Sequence, residues 1–585
     1  MQPSASGDSS ETSGAVAMVN PTGRPWIIGI FCDPQIGCAK SLAGFDISQA
    51  ESTQFNQELR IASNFEGPFN FSLGANYTKY KTVEDYYIFY NLITLVAMSG
   101  GSNTLFNGSD DYTTCVQRLA MIQGRPAGFT SATAPEVPLD SPEAVGCIYI
   151  DPNPIESING EGHNYYRSKN PYRLESKSVF GEVYYELTDN LKFTAGLRYT
   201  DDNKVFTPHP TQTLLSSAIF LAGTVDRGYP ALPDIKQKWG EVTGRIGVDW
   251  KPELSFTEQT MLYAFYSHGY KGGGANPPGI GFDKSPSYTG NVLFQTLPYP
   301  ETFEPEYIDA LEIGAKNTLL QGAMTLNLAA FYYDYKDYQV SQIKERTAVN
   351  ENFDATVWGL EAEGLFAPTP NLRFNFAIGY QDTKIGEGQE SIDLMNRTLG
   401  DPDLVLVKPY VLFSSNCVVP ADTLQAFMGT ANVTHYALNT VCGGLFQPVN
   451  PLNGPNGGAG LFTKLDDNEL PNAPHWTVSF GGQNTWKIGE AWEATVRADA
   501  YWQSQSWHRV YNLDPYDKLH GWYNVNLSIW IERPDDGLKF ELYAKNLLDK
   551  TPITDAFLNS DDAALTTNVF VLDPRLIGLS IRKEF

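Results

Sequence analysis

LKFTAGLRYT (residues 191–200) puts Leu191, Phe193, Ala195, Leu197 and Tyr199 on one face and Lys192, Thr194, Gly196, Arg198 and Thr200 on the other. Successive side chains of a β-strand point to opposite faces, so this alternation describes a strand between an apolar medium and a wet one. The pattern recurs. NLRFNFAIGYQ (371–381) sets Leu372, Phe374, Phe376, Ile378 and Tyr380 against Arg373, Asn375, Ala377 and Gly379. WEATVRADAYW (492–502) and LKFELYAK (538–545) alternate in the same way. The runs are about ten residues long, enough for a tilted strand to cross a bilayer. Strands of soluble sheets average about five or six. Aromatic residues gather near the run ends, as in the girdles of membrane barrels.

The connections sort by length. Short turns follow alternate strands: NFEGP (64–68), TDN (188–190), KPELSF (251–256), NTLLQG (317–322), APTP (367–370), KIGEA (487–491) and RPDD (533–536). Between them lie long segments at 81–177, 206–236, 271–301, 341–355, 385–470, 508–520 and 551–573. An outer-membrane barrel has short periplasmic turns and long extracellular loops. A soluble sandwich or propeller has no reason to segregate its loops by length.

Composition agrees. Aromatics make up 13% of the 585 residues, a load suited to strands. Lys plus Arg number 41 against 67 Asp plus Glu, a net charge of -26 that argues against nucleic acid and against docking on anionic lipid. No run approaches a membrane-spanning helix; the nearest, YYIFYNLITLVAM (86–98), is short and interrupted by Asn91 and Thr94. The start, MQPSASGDSSETSG, lacks the basic and apolar regions of a signal peptide. The six cysteines form local pairs, Cys32 with Cys38, Cys115 with Cys147 and Cys417 with Cys442. Their long-connection setting and the lack of C-x-x-C favour three extracellular disulfides over zinc, although sequence does not fix connectivity.

YAFYSHGYKGGGANPPG (263–279) is the one stretch that suggests a phosphate loop. Lys271 precedes the glycines, no Ser or Thr follows them, and Pro277 and Pro278 discourage a helix. It reads instead as a strand end whose glycines give a flexible exit into an outer loop.

Several stretches together resemble the TonB-dependent receptors, the energised outer-membrane transporters of Gram-negative bacteria. They are QFNQELRIAS (54–63), YAFYSHGYKGGG, FEPEYIDALEIGAKNTLLQGAMTLNLAAFYYDYKDYQV (303–340), WGLEAEG (358–364), ELPNAPHW (469–476), KNLLDK (545–550) and the closing PRLIGLSIRKEF (574–585). They are most similar to the branch common in sphingomonads and caulobacters. The resemblance implies an all-β fold: a transmembrane antiparallel β-barrel over residues 55–585, incomplete at about fifteen or sixteen of the family's 22 strands. It implies a terminal Phe585 read by the barrel assembly machinery, and partners in outer-membrane lipid, lipopolysaccharide and the TonB–ExbB–ExbD complex. The family's N-terminal plug and TonB-contacting box are not legible in residues 1–54, which read as the remnant of an extracellular loop. The expectation is an N-terminally truncated chain that does not carry out energised uptake alone.

The implied function is uptake of a scarce or large ligand: a ferric siderophore first, otherwise haem, a corrinoid or an oligosaccharide. A passive porin-like or non-functional remnant and a soluble secreted β-protein are the alternatives. Candidate ligand contacts are Trp507, His508 and Arg509 at the lumen mouth, with Tyr270 and Lys271 beside the glycines. No two histidines have H-x-x-x-H spacing, and the acidic pairs Asp201–Asp202, Asp466–Asp467 and Asp561–Asp562 lack an EF-hand pattern. No G-x-S-x-G nucleophile motif marks an enzyme, and no cofactor is expected. Arg198, Arg373 and Arg497 are read as lining a polar interior.

Overall fold

The computed structural model describes residues 31–33, 37–40, 44–90, 166–209, 212–213, 231, 233–277, 300–344, 347–408, 417–430, 454–559 and 565–584. Fifteen strands form one antiparallel wall. In chain order they are β1 (Gly44–Ala62), β2 (Phe69–Tyr90), β3 (Tyr166–Thr188), β4 (Leu191–Phe206), β5 (Ile235–Trp250), β6 (Gln259–Lys271), β7 (Glu306–Leu319), β8 (Met324–Lys344), β9 (Thr347–Phe366), β10 (Leu372–Ile385), β11 (Trp476–Ile488), β12 (Trp492–Gln503), β13 (Trp522–Arg533), β14 (Leu538–Lys545) and β15 (Leu576–Arg582). Each pairs with its sequence neighbours, so the wall is an uninterrupted meander. Its path ends at β1 and β15, and among the described residues no ladder joins those two.

Register decides what the wall separates. Directly opposed residues in an antiparallel ladder share a face. One row runs Phe69, Tyr185, Phe193, Val248, Ala264, Ile313, Ala330, Leu360, Tyr380, Trp476 across ten strands, from β2 to β11. Every member is apolar or aromatic. One residue along, on the other face, the row reads Asn70, Tyr184, Thr194, Gly247, Phe265, Glu312, Phe331, Gly359, Gln381. The first face is the outer, lipid-facing one; the second is the inner face. Large apolar side chains stand out from the outer face, Leu197 at 68% exposure among them. Trp250 and Trp486 lie near the short-turn ends, and Trp476, Trp502 and Tyr523 near the long-connection ends, which gives two aromatic girdles.

The alternating runs cover nearly all of β12 and β14 but only the short-turn part of longer strands such as β4 and β10. β1 begins at Gly44 rather than at Phe55, so the boundary drawn at residue 54 falls inside a strand. β3 has 23 residues, roughly twice the length needed to span a tilted crossing. The added stretches, such as GFDISQAEST in β1 and TVEDYYIFY in β2, carry no sustained apolar alternation because they rise above the bilayer with water on both sides. The segment read as a long loop at 341–355 is likewise strand: β8 runs to Lys344 and β9 starts at Thr347, which makes a tight hairpin.

A barrel wall one strand thick has no interior of its own. The buried apolar residues gather instead at the long-connection end, where parts of 385–470 and 505–521 pack against the tops of β8–β10. Val340, Phe353, Ala355, Ile385, Leu465, Leu470, Val510 and Tyr511 form this cluster. A second lies on a small ladder, Leu404–Val407 with Cys417–Pro420, covered by helix α1 (Ala421–Thr430). Cys417 is disulfide-bonded, and Cys32 stands opposite Cys38 in a three-residue ladder. Cys115, Cys147, Cys442 and Phe585 lie outside the described residues. In β15, Ile577, Leu579 and Ile581 all project from the outer face.

Candidate ligand-facing site on the inner wall

The inner face of β1–β6 holds a recess of about 610 Å³, within the range of small-molecule sites. Two register rows build its floor. One runs Arg60, Gly74, Phe180, Arg198, Thr243. The next runs Ser72, Glu182, Gly196, Arg245, Ser267. Glycine occupies the position where a neighbour's side chain crosses: a Cβ at Gly74 would lie 2.4 Å from the Phe180 ring, and one at Gly196 would lie 3.3 Å from Glu182. With these gaps open, Glu182 reaches across β4 to accept from Arg245 Nη2 at 2.7 Å. Arg60 Nε donates to Ser72 Oγ at 2.9 Å, and Arg198 Nε to Thr200 Oγ1 at 3.1 Å. The Arg198 guanidinium lies over Phe180, 5.4 Å from the ring centroid. Arg497 is held by Asn375, Gln483 and Asp499 farther round the inner wall.

The upper edge of the recess is made by the glycine motif. The β5–β6 ladder stops at Gly244 and His268, while β6 and β7 stay paired up to Lys271 and Glu306. Above that point β6 parts from β5, and the β6–β7 end of the wall lies across the inner face of β4–β5. Tyr270 donates to Asp202 Oδ2 at 3.2 Å and Tyr307 to Glu241 Oε1 at 2.9 Å. Lys204 Nζ donates to the carbonyls of Gly272 (3.2 Å) and Gly273 (2.7 Å), and Gln237 to that of Gly274 (3.1 Å). The glycines are therefore not a flexible exit. They are where a backbone lies so close to its neighbours that no side chain fits: a Cβ at Gly273 would sit 2.4 Å from the Phe303 carbonyl oxygen. Backbone cannot swing aside, so Gly273→Ala should destabilise the barrel by about 1–3 kcal/mol through overpacking. The control is Gly67→Ala in a short turn, where nothing lies within 4 Å of the added methyl. Denaturant unfolding in lipid vesicles should show the first midpoint fall and the second hold.

The candidate contacts separate into two places. Lys271 lies at the recess rim with its side chain 60% exposed and Glu306 3.6 Å away; Tyr270 beside it is committed to Asp202. Trp507, His508 and Arg509 belong to the packed lobe. Arg509 bonds Asp393 Oδ1 at 2.6 Å and Asp517 Oδ1 at 2.7 Å, and all three side chains are buried. His508 is buried with Nε2 3.7 Å from Asp517, and Lys518 lies over the Trp507 ring. Nearby, Lys344, Ser391 and Glu351 form a buried network, and the Tyr511 hydroxyl lies 3.0 Å from Ser391 Oγ and 2.8 Å from the Ile392 carbonyl. Burial pushes the Tyr511 pKa well above the ordinary tyrosine range, with Glu351 adding to the effect, so it stays a protonated donor. Arg60 and Arg245 were missed as site residues. Only the register that lines them up with Arg198 picks them out from other strand arginines.

A sequential antiparallel wall, apolar outside and polar within, with short turns at one end and, apart from the β8–β9 hairpin, longer connections at the other, defines an outer-membrane-type β-barrel. The chain belongs to the TonB-dependent receptor family: the model described as TonB dependent receptor-like, beta-barrel matches residues 39–547. Among solved structures it is similar to the ferric yersiniabactin uptake receptor FyuA from Yersinia pestis (TM-score 0.53, 12% identity, 93% of this chain and 55% of that one). It is also similar to the siderophore receptor PiuA from Acinetobacter baumannii (TM-score 0.50, 15% identity, 91% and 56%). At such identities the likeness is one of fold. The chain spans just over half the length of these structures. A search of curated proteins found no match.

Proposed function

We propose that this chain is the barrel portion of an outer-membrane receptor for energised uptake of a ligand too large or too scarce for diffusive entry, with a ferric siderophore as the first assignment. The observation that carries the reading is the pair of register rows: an unbroken apolar outer row backed by an inner row of Asn, Tyr, Thr, Gly, Phe, Glu and Gln. Such a wall gives a polar cargo a path while the lipid side stays dry. The names of the two solved relatives support the siderophore assignment over haem, a corrinoid or an oligosaccharide. The partners are those of the family: TonB with ExbB and ExbD for energy, lipid and lipopolysaccharide around the wall, and the assembly machinery for insertion. The motifs at 263–274 and 303–340 support the sphingomonad and caulobacter branch.

The test is accumulation of radiolabelled iron from a panel of ferric siderophores, in cells stripped of their own receptors and carrying the gene from its native locus. The expected result is uptake of at least one complex that disappears when tonB is deleted. Uptake that persists without TonB would favour a passive pore.

A further inference from the structure

We infer that the inner-wall recess is an oxyanion site, in which Arg60, Arg198 and Arg245 take a carboxylate or phosphate group of the transported ligand. The inference rests on the lumen being the ligand's path, as proposed above, and adds the chemical class of the cargo.

A guanidinium offers five N–H donors in a planar fork that matches carboxylate and phosphate oxygens. Arg60 and Arg198 each spend Nε on a neutral hydroxyl, Ser72 and Thr200. Among the described residues neither has a carboxylate in ion-pair contact, whereas Arg245 has one, Glu182. The Ser72 and Thr200 bonds fix the two forks by their inner nitrogens and leave the outer edges for an incoming group.

The recess is lined by three arginines against the two carboxylates Glu182 and Asp202, and the latter already receives the Tyr270 hydroxyl. A net positive hollow inside a chain of net charge -26 is a local reversal of sign, and a concave, low-dielectric wall focuses it.

The glycines at 74 and 196 carry no side chain of their own and are crossed by Phe180 and Glu182, which form the floor between the arginines. The flat Phe180 ring under Arg198 keeps that floor apolar and strengthens charge-assisted hydrogen bonds above it. The volume suits a small molecule.

The test is calorimetric titration of the purified chain in detergent with three probes: ferric citrate, inorganic phosphate and a neutral ferric trihydroxamate. Ferric citrate should bind and the trihydroxamate should bind much more weakly at this site. Phosphate binding alone would assign the site to a phosphate-bearing ligand rather than a carboxylate one. Arg198→Gln and Arg60→Gln should each weaken the anionic probe about tenfold or more, with Arg198→Lys retaining part of the affinity. Heat-modifiable migration checks folding. If Arg198→Gln does not fold, Arg60→Gln on the terminal wall strand carries the test. The inference is overturned if folded protein binds neither anion, if the substitutions leave anion affinity unchanged, or if an acidic segment of the receptor itself binds the recess where small anions do not. Intact anion binding without TonB-dependent uptake would count against the transport reading alone. TonB-dependent uptake with no anion binding would count against the oxyanion site alone.

Discussion

Replacing Arg509 with alanine is expected to unfold the lobe at the long-connection end while the barrel wall stands. The guanidinium is the shared counter-charge of two carboxylates, Asp393 and Asp517, and the Asp517 side chain is fully buried. Asp517 also accepts from the Leu513 backbone N–H at 2.9 Å, so it cannot turn toward water without breaking the segment that carries Val510 and Tyr511. Removing one partner of a buried ion pair costs about 3–5 kcal/mol because a charge is left uncompensated, and here two are left. The readout is hydrogen exchange. Amides at 389–397 and 508–519 should lose protection in the variant, and those of β4 and β7 should keep it. Adding Asp393→Asn and Asp517→Asn to Arg509→Met removes the stranded charges and should recover part of the loss. Unchanged protection in Arg509→Ala would show that packing around Val510 and Tyr511, not the ion triad, holds the lobe.

The second large effect lies on the wall itself. Ile313 sits near the middle of β7 in the apolar row, and its neighbour Glu312 lies on the inner face, where it accepts from the Tyr263 hydroxyl at 2.7 Å. Ile313→Arg should cost about 2–4 kcal/mol, the penalty for a cation on the lipid face of a barrel near the bilayer middle. Glu312→Gln keeps an acceptor for Tyr263 in a wet lumen and should cost under about 1 kcal/mol. Unfolding titrations in phospholipid vesicles measure both. Equal costs would mean that the two faces have been assigned the wrong way round. Because adjacent residues in one strand are compared, differences in depth and in local ladder strength largely cancel.

How much of this was legible in sequence varied along each strand. LKFTAGLRYT announced its two faces because a lipid medium on one side demands an apolar residue at every second position. The same strand's top, DDNKVF, announced nothing, since Asp201 to Phe206 rise where both sides are wet and no pattern is enforced. The short turns were legible for a related reason: each is a few residues of turn chemistry between two alternating runs, and all seven sit at a junction of consecutive wall strands, although 188, 317–319, 487–488 and 533 are themselves strand. The glycine motif was legible as a departure from strand chemistry but not as a contact. Its partners, Lys204, Gln237 and Phe303, lie about 30 to 70 residues away in the chain and meet it only where β6 leaves β5.

Sequence alone therefore determined the architecture, because alternation and loop length are local consequences of an apolar medium on one side and water on the other. Tertiary structure alone decided which inner residues act together. Arg60, Arg198 and Arg245 have no local signature, and register over five strands is what brings them to one recess. The same holds for Arg509. Its reading as a ligand contact at the lumen mouth followed from its place in a loop. Asp517 is eight residues away in the same connection, but Asp393 comes from another connection that meets it only after the wall has set their positions. Strand alternation is written by the solvent at each residue. Side-chain grouping is written by pairing across the sheet, which one-dimensional order does not contain.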